Sequence, residues 1–248
     1  MLAFMALLWA CQPPEPVKRG LSVKHNYIIL LDLSDRLIVQ PDQPARDKEI
    51  IRAIYKIFEE RVKKDLYIRS RDEIKVVIAP QRGSGLRSDV FENELYINME
   101  NIPKVFRRAK EAERRDTFNL ALDELYRKAI FSNSSEDYYG ADIWKYFYED
   151  LQDDYSEDTL TQNYLFILTD GYPIVGKNSK KLEPVQKNFP DLKIILIEGS
   201  PREKDLEWDH VMKIWTEWFD SMKVRDYRFI KRKALSKEIE SVRAAVGM

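Results

Sequence analysis

Four short stretches of the chain are packed with β-branched and other apolar residues: Asn26–Leu33 (NYIILLDL), Glu73–Pro80 (EIKVVIAP), Asn163–Thr169 (NYLFILT) and Leu192–Glu198 (LKIILIE). Near-continuous apolar runs of this length predict strands covered on both faces, as in a parallel sheet. Between them the period changes to that of a helix. Over Arg46–Lys64, residues Ile50, Ile51, Ile54, Ile57, Phe58 and Val62 form one stripe. Pro103–Arg114 reads as a basic helix, and Phe118–Phe131 as a second one with Leu120, Ala121, Leu125 and Ile130 facing inward. Trp208, Val211, Met212, Trp215, Trp218, Phe219 and Met222 sit at helical spacing after Ser200–Pro201, which suits a cap and first turn. Glu94–Met99 alternates like an antiparallel edge strand, Gln81–Leu86 is a loop, Asp226–Ile230 a last short strand and Leu235–Val246 a last helix. Strands alternating with helices predict an α/β fold. We expect a doubly wound, mostly parallel sheet with one antiparallel edge strand, helices on both faces in three Rossmann-like layers, and a single domain over 24–248.

Composition narrows the chemistry. The 248 residues carry 41 Lys+Arg against 42 Asp+Glu, a net charge of −1, without the basic excess of a nucleic-acid binder. Two His and one Cys leave no multi-histidine metal site and no intrachain disulfide. Eight Gly argue against a glycine-rich phosphate loop. One segment breaks the rhythm, 132–161. Its stretch from Glu136 to Asp158 holds nine acids and a single base, Lys145, among Tyr138, Tyr139, Trp144, Tyr146, Phe147 and Tyr148. It has no spaced calcium loop with a Gly turn, and we expect a solvated, partly helical acidic insertion.

The first ten residues are uncharged and too short to span a bilayer, which takes about 20 apolar residues. They suit the apolar part of a secretion signal. Leu8–Trp9–Ala10–Cys11 resembles the lipobox of bacterial lipoproteins, in which the bond before the Cys is cut and the Cys is lipidated. Leu8, Ala10 and Cys11 match, while Trp9 is bulkier than usual. No Lys or Arg precedes the run, so the reading expects Met1 to lie inside a longer signal. Segment 1–11 is then the signal and 12–23, with Pro13, Pro14 and Pro16, an extended tether. The competing reading is a buried apolar N-terminal element with a free Cys.

In open α/β sheets, ligands bind beyond the carboxyl ends of the strands. There the first strand ends in Asp32–Leu33–Ser34–Asp35–Arg36 and the third in Thr169–Asp170–Gly171. Between them, Arg115–Asp116–Thr117–Phe118–Asn119 marks the start of a helix. Oxygen-only groups gathered at one edge suit Mg²⁺ or Mn²⁺. These motifs resemble those of the von Willebrand factor type A-like (vWA) domain: Asp-x-Ser-x-Ser, a distant Thr before a helix, and a later strand ending in Asp. The resemblance covers about residues 24 to 246 and implies Asp32, Ser34, Thr117 and Asp170 as ligands of a metal-ion-dependent adhesion site. Asp35, Arg36, Asp116, Asn119 and Gly171 would form its rim. The separations are 83 (34 to 117) and 53 (117 to 170). One position departs from the motif: the second Ser is replaced by Arg36, which offers no acceptor and is always charged.

The resemblance implies a non-enzymatic protein-binding module of the bacterial cell envelope. It would be lipid-anchored through Cys11, hold Mg²⁺ or Mn²⁺ or neither, and take an acidic side chain of its partner. Two alternatives stay open. One is a metal-free envelope scaffold with Arg36 in the cation's place. The other is a haloacid-dehalogenase-like phosphatase with Asp32 as nucleophile, although the acid/base Asp expected two residues on is Ser34. The basic stretches around Arg107–Arg115 and Lys223–Lys233 read as solvated faces or as docking surfaces for acidic partners or anionic lipid. The Trp208/Trp215/Trp218 stripe reads as core.

Overall fold

A computed structural model describes residues 22–81, 86–132, 141–171, 185–199 and 205–247. The signal segment 1–11 with Cys11, the tether up to residue 21 and the Ser200–Pro201 cap lie outside the described residues. Six strands form one sheet: β1 (Lys24–Leu31), β2 (Glu73–Ile78), β3 (Tyr96–Asn98), β4 (Thr161–Leu168), β5 (Leu192–Gly199) and β6 (Asp226–Lys231). Their order is β3-β2-β1-β4-β5-β6. Every neighbouring pair is parallel except β2 and β3, so the antiparallel strand lies at the edge, as its alternation predicts. The order reverses between β1 and β4, the switch point at which doubly wound sheets open a crevice.

The continuous apolar runs are explained by cover on both faces. Tyr27, Ile29 and Leu31 of β1 face one core with α2 (Gln43–Lys64), α3 (Arg107–Ser132) and α7 (Leu235–Ala245). Ile28 and Leu30 face a second core with α4 (Ile143–Glu149), α5 (Leu151–Asp154) and α6 (Asp205–Ser221). The six apolar residues expected on the stripe of α2 are all buried. Trp208, Trp215 and Trp218 are buried too, and the stripe is core. Among the described residues no helix is long and apolar enough to cross a membrane.

Two expectations need correction. The helices expected over Pro103–Arg114 and Phe118–Phe131 are one uninterrupted helix, α3. No Gly or Pro interrupts it, and the Thr117 hydroxyl satisfies itself on the Glu113 carbonyl four residues back, at 3.1 Å, instead of capping a new helix. Its inward face is Phe118, Ala121, Leu122, Leu125, Tyr126 and Ala129, whereas Leu120 is 73% exposed and Ile130 also faces solvent. The described part of the acidic segment, 141–161, is partly helical as expected, but it is packed rather than solvated. Ile143, Tyr146, Phe147 and Leu151 recur at helical spacing and are buried. Trp144 stacks on Trp218 at 5.0 Å. The segment starts beside the end of β2, where the Asp142 N–H donates to the Pro80 carbonyl. It ends at the opposite end of the strands, where Asn26 near the start of β1 donates to the Asp154 carbonyl. This segment, between α3 and β4 in the chain, therefore shares the cover of the second face with α6.

Candidate functional site

Where β1 and β4 end, the chain turns under a set of buried polar groups. Asp32, Ser34, Arg36, Thr169 and Asp170 are all buried there. The turn after β1 is held by Asp32 itself. One carboxylate oxygen accepts from the Ser34 N–H at 3.0 Å and the other from the Thr169 hydroxyl at 2.8 Å. The Gly171 N–H donates to that same hydroxyl at 3.2 Å, and the Gly171 carbonyl accepts from Trp215 Nε1 at 2.8 Å. The strand-end motifs predicted from sequence thus meet, and Asp32, Ser34 and Asp170 share one edge of the sheet.

Arg36 points inward and is 1% exposed. Its Nε donates to the Asp32 carbonyl at 2.8 Å and its Nη2 to the Leu168 carbonyl at 3.1 Å, bridging the ends of the two central strands. The rest of the guanidinium forms a fork on Asp47 of α2, at 3.3 and 2.6 Å. Asp47 also accepts from Gln43 at 2.7 Å and from the Tyr126 hydroxyl of α3 at 3.0 Å. Burial works against the charge on Arg36, but Asp47, Asp32 and Asp170 outweigh it and hold the guanidinium above its usual range. Burial raises the Asp47 carboxyl, against Arg36, Gln43 and Tyr126. Burial and Asp47 together raise Tyr126, which stays a neutral donor.

Thr117 does not belong to this site. It lies half-buried in the middle of α3. Tyr126, the α3 residue that reaches Asp47, comes nine residues later, about 14 Å along the axis at 1.5 Å per residue. Asp116 and Asn119 are part of the same helical surface. Asp116 lies 3.7 Å from Arg115, and Asn119 bonds to the Arg115 carbonyl and to Arg52. The donor set expected for a divalent ion is therefore poorly matched. One of its four oxygens is elsewhere, and a guanidinium stands among the carboxylates. Among the described residues no cluster of three or more His, Cys, Asp or Glu side chains is arranged to hold a metal ion.

Sequence reasoning missed Asp47, Gln43 and Tyr126, and with them an adjoining network at the ends of β5 and β6. Glu198, at a φ of 70° beside an irregularity in the β5–β6 pairing, accepts from Arg46 at 2.8 Å and Arg232 at 3.0 Å. Its N–H donates to Glu238 of α7, whose other oxygen accepts from Arg46 at 2.6 Å. A signal was available. Asp47 and Glu238 lie on the apolar stripes of their helices, three or four residues from Ile50, Ile51 and Val242, and a charged residue there must find a buried partner.

Glu238 carries a pH prediction. Burial and the neighbouring Glu198 raise its pKa from 4.5 to about 7, despite Arg46. The folded state then binds a proton that the unfolded chain releases. This contribution to stability is complete below about pH 4.5 and is lost as the pH rises to about 7. Urea titrations across this window should show the wild type losing stability relative to Glu238→Gln as pH increases. Parallel curves would mean that Glu238 is charged throughout.

No family model matches the chain, and no curated protein does. Among solved structures, the chain is similar to the pilus adhesin SpaC from Lactobacillus rhamnosus GG, in its open conformation, with a TM-score of 0.40 and 10% identity. The match covers 92% of this chain and 30% of that one, so the chain spans under a third of the length of the adhesin. No function passes from one to the other at that distance.

Proposed function

We propose that the chain is a non-enzymatic, vWA-like protein-binding module of the bacterial cell envelope whose strand-end site works without a metal. The observation that carries this reading is Arg36. Its guanidinium takes the interior position at the switch point, bonded to the carbonyls that end β1 and β4 and paired with Asp47. A fixed cation of this kind performs the structural part of a divalent ion's task, drawing Asp32 and Asp170 to one edge, and offers no open coordination position. Contact with a partner then falls to the surface above it, where Asp35, Ile38 and Val39 are exposed on and before the short helix α1 (Arg36–Val39). Against a phosphatase, the residue two places after Asp32 is Ser34, which cannot act as the general acid. The envelope placement rests on Leu8–Cys11, and with it the lipid on Cys11.

Calorimetric titration of Mg²⁺ and Mn²⁺ into metal-stripped protein, beside an Asp170→Ala variant, tests the metal-free site. We expect no saturable heat at millimolar metal in either protein. Binding near one equivalent in the wild type, abolished in the variant, would overturn the reading and restore the adhesion-site mechanism.

A further inference from the structure

We propose that the end of the domain opposite the strand-end site is a docking surface for an anionic lipid bilayer. Two loops meet there. One follows α2 and passes through Leu66 and Tyr67, both at positive φ, to Ser70. The other leads into α3 through Pro103–Phe106. Arg107 ties them together. Its Nη1 donates to the carbonyls of Ile68 at 3.0 Å and Ser70 at 2.8 Å, and its Nε to that of Ile102 at 2.9 Å. What this clamp presents to solvent is apolar: Leu66, Ile68, Val105 and Phe106 are all exposed, Val105 by 83%. Four exposed large apolar side chains on two loops braced by one arginine form an apolar surface of the kind that marks an interaction site.

The surroundings of this apolar surface choose the occupant. Lys64, Arg69, Lys104 and Arg108 are exposed around it, and none of the four has an ion-pair partner among the described residues. Lys63 and Lys110 are already neutralised, by Glu59 at 2.8 Å and Glu113 at 2.6 Å. Asp65, half-buried, is the remaining acid on the first loop. The chain as a whole carries a net charge of −1, so this concentration of free cations is local. Apolar tips inside a cationic ring match the layered chemistry of a membrane surface, with phosphodiester headgroups outside and acyl chains beneath. A second copy of the chain would bring the same cations against themselves. The N-terminal segment reaches the domain at the same end, where the Ser22 hydroxyl donates to the Arg69 carbonyl at 2.9 Å. The uncharged run Met1–Ala10 lies only eleven residues before that bond.

The two ends of the domain are separated by α2, whose 22 residues span about 33 Å. Seated on this surface, the domain would turn the strand-end site away from the lipid. The surface does not depend on how that site works, so the two proposals fail separately.

The test uses the full chain with Cys11→Ser and one new thiol carrying an environment-sensitive fluorophore. One protein is labelled at Val105→Cys. The other is labelled at Val39→Cys, exposed at the far end of α2. Vesicles of phosphatidylcholine with or without 30% phosphatidylglycerol are then added (~30%, a composition chosen to reach a strongly anionic surface). We expect a blue shift and a several-fold rise in intensity at 105 with anionic vesicles, and none at 39. Each Lys or Arg near an anionic surface gives roughly a fivefold gain in affinity. Adding Lys64→Glu and Lys104→Glu should therefore raise the vesicle concentration at half-effect by more than about 25-fold. A silent label at 105 while the chain sediments with vesicles would overturn the proposal, because the N-terminal segment alone would be binding. Equal shifts at 105 and 39, or equal responses to neutral and anionic vesicles, would do the same. A shift at 105 that grows with protein concentration without vesicles would assign the surface to a second copy instead.

Discussion

Arg36→Ala should destabilise the folded domain by about 3–5 kcal/mol, the usual cost of breaking a fully buried ion pair from one side. The size follows from what is left behind. Asp47 is completely buried, and without the guanidinium it keeps only Gln43 and the Tyr126 hydroxyl as donors. The Asp32 carbonyl loses its Arg36 bond, at about 1–3 kcal/mol for a buried acceptor left unsatisfied. The Leu168 carbonyl suffers less, because it still accepts from the Asp32 N–H at 3.0 Å. These unequal losses predict the outcome of a repair. Arg36→Met combined with Asp47→Leu removes the stranded charge and should recover part of the stability, leaving a deficit of about 1–3 kcal/mol from the unpaired Asp32 carbonyl. Urea midpoints at constant slope measure both effects. A loss below about 1 kcal/mol for the single variant would mean that water reaches Asp47.

The second large effect is expected at the turn after β4. A Cβ placed on Gly171 would lie 2.8 Å from the Trp208 ring, and the residue holds a φ of 93°. Gly171→Ala therefore combines overpacking, typically about 1–3 kcal/mol, with a left-handed backbone cost of about 1–2 kcal/mol. Gly199→Ala presses on the same ring from β5, where the new Cβ would lie only 2.1 Å from it. Trp208 is buried, so any shift of its ring must be taken up by the packed core. If contact with that ring is the cause, Trp208→Phe should relieve much of the penalty, and a double-mutant cycle would show strong coupling. Additive losses would place the strain in the backbone. The consequence at the site is readable as well. Gly171 holds Thr169 and is held by Trp215, so moving the turn should loosen Thr169 from Asp32 and change the near-ultraviolet signal of the tryptophans.

The parallel sheet was legible because its central strands are short apolar runs rich in β-branched residues, and helical segments alternate with them. The antiparallel edge was legible from the alternation over Glu94–Met99. The break expected within α3 was not real, since Asp116 and Thr117 are good capping residues in isolation but nothing there stops a helix. The acidic segment misled in a different way. Its charge count hid Ile143, Tyr146, Phe147 and Leu151, whose helical spacing marks the buried face that α4 and α5 share. At the site, Asp32 and Asp170 were found because strand ends are where to look. Asp47 and Tyr126 were not, because their meeting depends on how α2 and α3 pack, which no local pattern states. Arg36 was recognised as the odd residue, and its direction had to come from the structure.

The strand order has a consequence for how the molecule is made. β1 is paired with β4 from Lys24↔Thr161 to Leu31↔Leu168, across more than half the chain. A ribosome releases β1, α2 and β2 long before β4 exists, and until then one edge of the central strand is open. Arg36 can already find Asp47 in that interval, but the Leu168 carbonyl arrives only with β4. Closure of the sheet is a late, long-range event, of the kind that slows folding. A nascent chain of this topology keeps that edge of β1 unpaired until its last third emerges.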